Sequence, residues 1–231
     1  VTPRSAPLAL ATSPETTGAD LVLVPVGSVE QHGPHLPLET DTVIATAVTA
    51  AVAERLGGPD ARVWTAPPLT YGSSGEHQSF PGTCSIGTDA LRTVVVELVR
   101  SMRTWCPRVV LVNAHGGNLD ALRSAVGQLA AEGHDVAWVA CATEDVDLHA
   151  GRTETSLLLH LCPEQVRVGL VEAGDRRPLA EILPALMSGG VAAVSPNGVL
   201  GDPTGATATE GAAVLAAMVD DVVRRVTAVR S

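Results

Sequence analysis

Residues 21–26 read LVLVPV. An unbroken apolar run of this length describes a strand covered on both faces, as in a parallel sheet, rather than one with a wet side. Residues 108–113 (RVVLVN) repeat the pattern, and 135–142 (DVAWVACA) supply a third run. Helical stretches alternate with them. Residues 41–56 (DTVIATAVTAAVAERL) read as a helix stopped by Gly57 and Gly58, 89–105 as a second, and 118–131 as a third that Asn118 caps. Further helices are expected over 153–161, 178–187 and 209–229, and a fourth strand over 166–171. Residues 66–88 and 195–207 are rich in Gly, Ser, Pro and Thr and read as long loops, which in compact domains usually serve function. Strands alternating with helices predict an α/β domain: a mostly parallel β-sheet flanked by helices on both faces. In such sheets ligands bind beyond the carboxyl ends of the strands.

The 231 residues, 45% of them hydrophobic, suffice for one domain with a sizeable core, and no composition break marks a linker. The chain is read as one domain over 1–231, with 1–18 an irregular N-terminal segment that lacks the apolar stretch of a signal peptide. Aromatic residues make up 2%, so Ala, Val and Leu must build the core. A formal net charge of -10 argues against sequence-independent nucleic-acid binding, which needs cations to displace counterions, and against a polybasic membrane contact. No apolar run is long enough to span a bilayer. Cys84, Cys106, Cys141 and Cys162 form no CxxC pair and are read as free thiols of a cytoplasmic protein.

Three polar clusters follow the expected strands. Glu30 and His32 come after the first, two residues apart, so that in an extended segment both point to one side; Asp41 begins the next helix. Alone, Asp41 reads as a helix cap. The second cluster, Asn113-Ala-His115-Gly-Gly-Asn118, reads alone as a glycine-rich turn or an anion cradle at a helix start, although no GxGxxG or GxxxxGK[ST] is present. The third holds His149 and Glu154, the latter in a first helical turn, where a carboxylate is favoured by the dipole. Three such connections would converge at one edge of the sheet. They bring two imidazoles, His32 and His115, together with the carboxylates Glu30, Asp41 and Glu154. That nitrogen and oxygen set suits Zn, Mn or Fe(II), and one bridging carboxylate would let it hold two ions.

Five ordered segments, VGSVEQHGPHLPLETD, GSSGEHQSFPGT, VNAHGGN, HAGRTETS and NGVLGDPTGATATEG, span about residues 21–215 and resemble the creatininase family. The resemblance implies a three-layer α/β/α hydrolase that cuts an amide-type C–N bond with two divalent metal ions per subunit, Zn or Fe first and Mn third. It implies that Glu30, Asp41 and His115 hold one ion, and that His32, Asp41 and Glu154 hold the other. His149 matches the HAG histidine and is the implied proton donor to the leaving nitrogen, with Glu154 sharing acid/base work. His77, in the GEHQSFPGT loop, is the implied substrate-facing residue, against a plain role in ordering that loop. Symmetric homo-oligomers, often hexameric, are implied too.

This sequence departs from creatinine-cleaving members at two points. They carry an acid two residues after the histidine matching His115, where this chain has Gly117. They also hold a flat ring with aromatic residues shortly before the HAG motif, and 140–148 (ACATEDVDL) has none. The details instead resemble a branch that releases a modified C-terminal Val-Tyr unit from a short, ribosomally made precursor peptide during redox-cofactor biosynthesis. The rival readings are a hydrolase of cyclic amides or formamides within the same family and, from another class, a non-catalytic nucleotide-binding module. A serine hydrolase is disfavoured because Ser28 lies in no GxSxG elbow.

Overall fold

The computed structural model describes residues 5–58, 62–143 and 147–228. Five strands, β1 (Ser5–Pro7), β2 (Leu21–Val26), β3 (Val63–Thr65), β4 (Val109–Asn113) and β5 (Val136–Ala140), form one parallel sheet in the order β1-β3-β2-β4-β5. The register is continuous across its centre, with Val22 opposite Val109 and Val26 opposite Asn113. Pro25 is tolerated in this central strand because the side where its missing N–H would point faces residues beyond the end of β3; there the Pro25 carbonyl accepts the Leu69 N–H at 2.9 Å.

Among the described residues there are six α-helices, α1 (Thr40–Leu56), α2 (Thr88–Met102), α3 (Leu119–Ala131), α4 (Arg152–Leu161), α5 (Leu179–Gly189) and α6 (Ala208–Ala228); all but α5, whose Ile182 packs in a separate cluster with Val191 and Leu200, supply residues to the cores on the two faces of the sheet. Strand alternation sorts the core into two halves. Leu21, Leu23, Val110 and Val112 meet Ile44, Val48, Leu157 and Val222 of α1, α4 and α6. Val22, Val24, Val109 and Leu111 meet Leu91, Val95, Leu122 and Leu129 of α2 and α3. This is the expected α/β/α arrangement, and it explains why β2 and β4 are apolar at successive positions. Each fully buried leucine contributes about 2 kcal/mol by leaving water.

Two expectations fail. Residues 166–171 form no strand; 3-10 turns at Pro163–Gln165 and Val168–Leu170 occupy the segment. Val166 is buried in the core, but Val168 is 64% and Leu170 55% exposed, so burial cannot hold an extended conformation beyond Val166. The N-terminal segment is also less irregular than expected, since β1 pairs with β3 before two 3-10 turns. Residues 1–4 of that segment, residues 144–146 of the aromatic-free stretch, and the final position of the expected 209–229 helix lie outside the described residues. Among the described residues no helix is long and apolar enough to cross a membrane, and all four cysteines are free.

Helix α6 rides directly on the backbone of α4, the helix that carries Glu154. A Cβ at buried Gly211 would collide with the Ser156 carbonyl and come within 2.9 Å of the Leu157 nitrogen. Two effects compete at this site. Alanine is the better helix former by roughly 1 kcal/mol, whereas overpacking costs about 1–3 kcal/mol. The backbone contact cannot yield easily, so Gly211→Ala is expected to lower the urea midpoint; a raised midpoint would show that the two helices are not held at backbone distance.

Candidate metal centre

The connection from β2 runs out to β3 on one side, and β4 returns on the other, so the chain reverses direction across the sheet between β2 and β4. A crevice at such a switch point is where open α/β sheets place their ligands. Glu30 and His32 leave the end of β2, His115 follows β4, and Asp41 occupies the first turn of α1. Glu154 lies in the first turn of α4, where its Oε2 accepts the Ala150 N–H at 2.6 Å. Asn118 stands at the start of α3, but its side chain makes no capping bond. It clamps three loops instead, donating to the Gly27 carbonyl and to Asn113 Oδ1 at 3.0 Å each and accepting the Ser73 N–H at 2.9 Å.

All five expected ligand residues converge. Glu30, His32, Asp41 and His115 are buried, and the Glu154 side chain is 21% exposed. His32 Nε2 lies 3.3 Å from Asp41 Oδ1 and 3.8 Å from Glu154 Oε2. His115 Nδ1 lies 3.3 Å from Asp41 Oδ2, and its Nε2 lies 3.2 Å from Glu30 Oε2. Backbone carbonyls behind the two rings orient them. The His32 Nδ1–H donates to the Glu30 carbonyl at 3.2 Å, and the His115 Nε2–H donates to the Ser73 carbonyl at 3.1 Å. Each ring therefore turns its free nitrogen toward a different oxygen of Asp41. Lone pair facing lone pair is repulsive unless a cation or an added proton lies between them. Hydrogen bonds to the far nitrogen of a ligating histidine commonly hold the ring in one tautomer.

The electrostatics agree. Burial pulls the His32 imidazolium toward deprotonation, but Asp41, Glu154 and Glu30 outweigh it and carry its pKa up to about 10. His115 rises well above its ordinary value for the same reasons, against its own burial and with Glu30 foremost among the carboxylates. Burial would raise the Asp41 pKa, yet His32 and His115 hold it well below the carboxylate range. Glu154 is pushed up to about 7 by burial, with Asp41 adding repulsion against the pull of His32.

Both Glu30 carboxylate oxygens, Asp41 Oδ2 and His32 Nε2 are buried without a hydrogen-bond partner. Orphaned ligand-type atoms at this density fit divalent cations. Three groups have the spacing to hold an ion: Glu30 with Asp41 and His115; His32 with Asp41 and Glu154; and Glu30 with His32 and His149. The first two share Asp41.

His149 and His77 also reach this cluster. The His149 ring lies 4.4 Å from that of His32 and 4.3 Å from that of His77, centroid to centroid, and its Nδ1 stands 3.6 Å from Glu30 Oε1. Burial, joined by the nearby His32, holds its pKa well below the usual histidine value. His77 is buried, with Nε2 3.3 Å from Glu30 Oε1; burial brings its pKa down to about 4.

Sequence reasoning passed over Gln31, which touches both of these histidines, and Glu76, whose Oε1 lies 3.5 Å from His115 Nε2. It also passed over His35, whose Nε2 lies 2.9 Å from Thr155 Oγ1 beside Glu154. Their place within or beside motifs already singled out was the one available signal.

A family model described as creatininase, creatinine amidohydrolase, matches residues 9–226. The chain belongs to the creatininase family. A mycofactocin precursor peptide peptidase of Mycobacterium ulcerans (strain Agy99) is 59% identical over 209 residues, 89% of this chain and 84% of that protein. Among solved structures, a mutant creatininase of Zn-Zn type superposes with a TM-score of 0.79 at 25% identity, covering 95% of this chain and 96% of the other. A creatininase described as the Mn form gives a TM-score of 0.79 at 25% identity, covering 96% and 97%. As a member of this creatininase family the chain is an enzyme, a hydrolase of amide-type bonds, and its described residues carry clusters able to hold metal ions.

A consequence can be measured without any substrate. Metal ligation requires neutral imidazoles, whereas His32 and His115 hold protons at neutral pH in the metal-free protein. Loading divalent metal at pH 7 should therefore release protons from these imidazoles, read by calorimetry in buffers of different ionisation enthalpy. Raised imidazolium pKa values stabilise the metal-free fold fully below about pH 6.5. That stabilisation fades as pH climbs toward the folded His32 value of about 10, so the melting-temperature gain on metal loading should widen with pH. Metal-binding heats independent of the buffer would contradict the charge arrangement.

Proposed function

We propose that this chain is a metal-dependent peptidase that releases the modified C-terminal Val-Tyr unit of the mycofactocin precursor peptide, a step in redox-cofactor biosynthesis. The observation that carries this reading is the 59% identity to a mycofactocin precursor peptide peptidase along nearly the whole chain. Residues 1–231 act as one hydrolase domain. Glu30, Asp41 and His115 would hold one divalent ion and His32, Asp41 and Glu154 the other, with Asp41 shared; Zn or Fe is favoured over Mn. The working form is a cytoplasmic homo-oligomer, hexameric or similar, with neither nucleic acid nor membrane as a partner.

When bound, the two ions supply Lewis-acid polarisation of the scissile carbonyl and make water acidic enough to ionise near neutrality. The chain's own groups handle protons and positions. Glu154 would share the acid/base work while holding its ion. His149 is uncharged at neutral pH, so it accepts a proton before passing it to the leaving nitrogen. His77 fixes Glu30 from the substrate side through its 3.3 Å contact.

Beside the ligands lies a cavity of about 260 Å3 whose lining includes His115 and Glu154 on its polar side and Ile44, Leu119, Leu157 and Met218 on its apolar side. Among the described residues that line it there is no Phe, Tyr or Trp. An aliphatic pocket suits an apolar peptide side chain better than a flat heterocycle that needs stacking, which weighs against the cyclic-amide alternative.

The test is mass spectrometry of the modified precursor peptide incubated with metal-loaded protein, beside chelator-treated and Asp41→Ala protein. Release of the C-terminal unit, lost in both controls, is the expected result. An intact peptide after incubation with protein verified to carry two metals would move the substrate to a smaller amide.

A further inference from the structure

Gln31 lies between Glu30 and His32 in sequence, and its side chain sits in a ring of polar groups. Its Oε1 accepts the Gly33 N–H at 2.9 Å. Its Nε2 lies 2.9 Å from each of the Gly198 carbonyl, His77 Nδ1 and His149 Nε2. Its backbone carbonyl lies 2.8 Å from His149 Nε2, and its backbone N–H donates to Thr83 Oγ1 at 3.1 Å. Two backbone groups fix the amide's orientation: an N–H can only donate to Oε1, and the Gly198 carbonyl can only accept from Nε2. Space closes the arrangement, because a Cβ at Gly198 would fall on Gln31 Oε1.

Counting hydrogens settles the rest. The Gln31 carbonyl only accepts, so His149 Nε2 carries a proton and donates to it. The amide has two hydrogens. One goes to Gly198, and since His149 Nε2 is itself a donor, the other goes to His77 Nδ1. His77 must then present a lone pair at Nδ1 and carry its proton on Nε2, the nitrogen that lies 3.3 Å from Glu30 Oε1. His149, when neutral, is left with its free nitrogen, Nδ1, 3.6 Å from that same oxygen.

We propose that Gln31 is a positioning residue that sets the tautomers of His77 and His149 together, so that one ring turns its N–H toward Glu30 and the other turns its free nitrogen there. The role in turnover rests on the peptidase reading above; the tautomers do not. Gln31 touches no ligand oxygen. It acts through the two rings, and Gly198, which belongs to a different loop, leaves the room for it to do so.

The experiment is two-bond proton–nitrogen correlation of the histidine rings in zinc-loaded protein labelled with nitrogen-15, alongside steady-state kinetics on the precursor peptide. Wild type should show both His77 and His149 protonated at Nε2. Gln31→Met, similar in length but without a donor, should leave His77 mixed between tautomers, keep both zincs, and lower kcat on the order of 10²-fold with KM little changed. Gly198→Ala, which displaces the amide while leaving Gln31 in place, should give the same ring spectrum and the same kinetic split, and it serves if Gln31→Met folds poorly. A wild-type His77 protonated at Nδ1, or variants whose ring spectra match wild type, would overturn the proposal. Wild-type protein with the expected tautomers that leaves the peptide intact would instead overturn the peptidase reading alone.

Discussion

Glu30 and Asp41 are carboxylates sealed from solvent at the carboxyl edge of the sheet, and among the described residues their ion-pair partners are all histidines. Among the described residues no arginine is paired with them, and the chain contains no lysine. Buried charge left without a partner costs several kcal/mol per ion, so the site needs positive charge from elsewhere. Protons on His32 and His115 can provide it, as their raised pKa values show. Divalent cations provide more, and the lone pairs of both rings are already aimed at the two oxygens of Asp41. The rest of the architecture follows from keeping these groups close, dry and oriented.

The fold meets that demand with rigid parts. Strands β2 and β4, apolar on both faces, anchor the segments that carry Glu30, His32 and His115. Helix α1 presents Asp41 in its first turn, where the helix dipole favours a carboxylate. Helix α4 presents Glu154, and the backbone contact with α6 at Gly211 holds that helix against the sheet. Asn118 ties the ends of β2 and β4 to the 72–74 loop, so the three supporting segments cannot drift independently. A mutation far from any ligand, at Gly211 for example, thus acts on the centre through element placement rather than through contact.

The α/β class and the three ligand-bearing connections were legible because long apolar runs and paired histidine and carboxylate residues are local signals. Strands β1 and β3 were not: at three residues each they carry no periodicity, and they exist because they pair with one another and with β2. The 166–171 segment misled because β-branched residues suggest a strand, while only tertiary cover decides whether one forms. Asn118 was read as a cap from its position, yet its side chain serves distant loops. Gln31 was invisible as a functional residue for the same reason, since its partners His77, His149 and Gly198 lie 46, 118 and 167 positions away. Residues whose meaning comes from many long-range contacts leave little trace in a single sequence.

Anomalous diffraction from metal-loaded crystals tests most directly whether a pair of cations shares Asp41. Two peaks are predicted, one among Glu30, Asp41 and His115 and the other among His32, Asp41 and Glu154. A single peak among Glu30, His32 and His149, the third group with ligand spacing, with Asp41 uncoordinated, would contradict that arrangement.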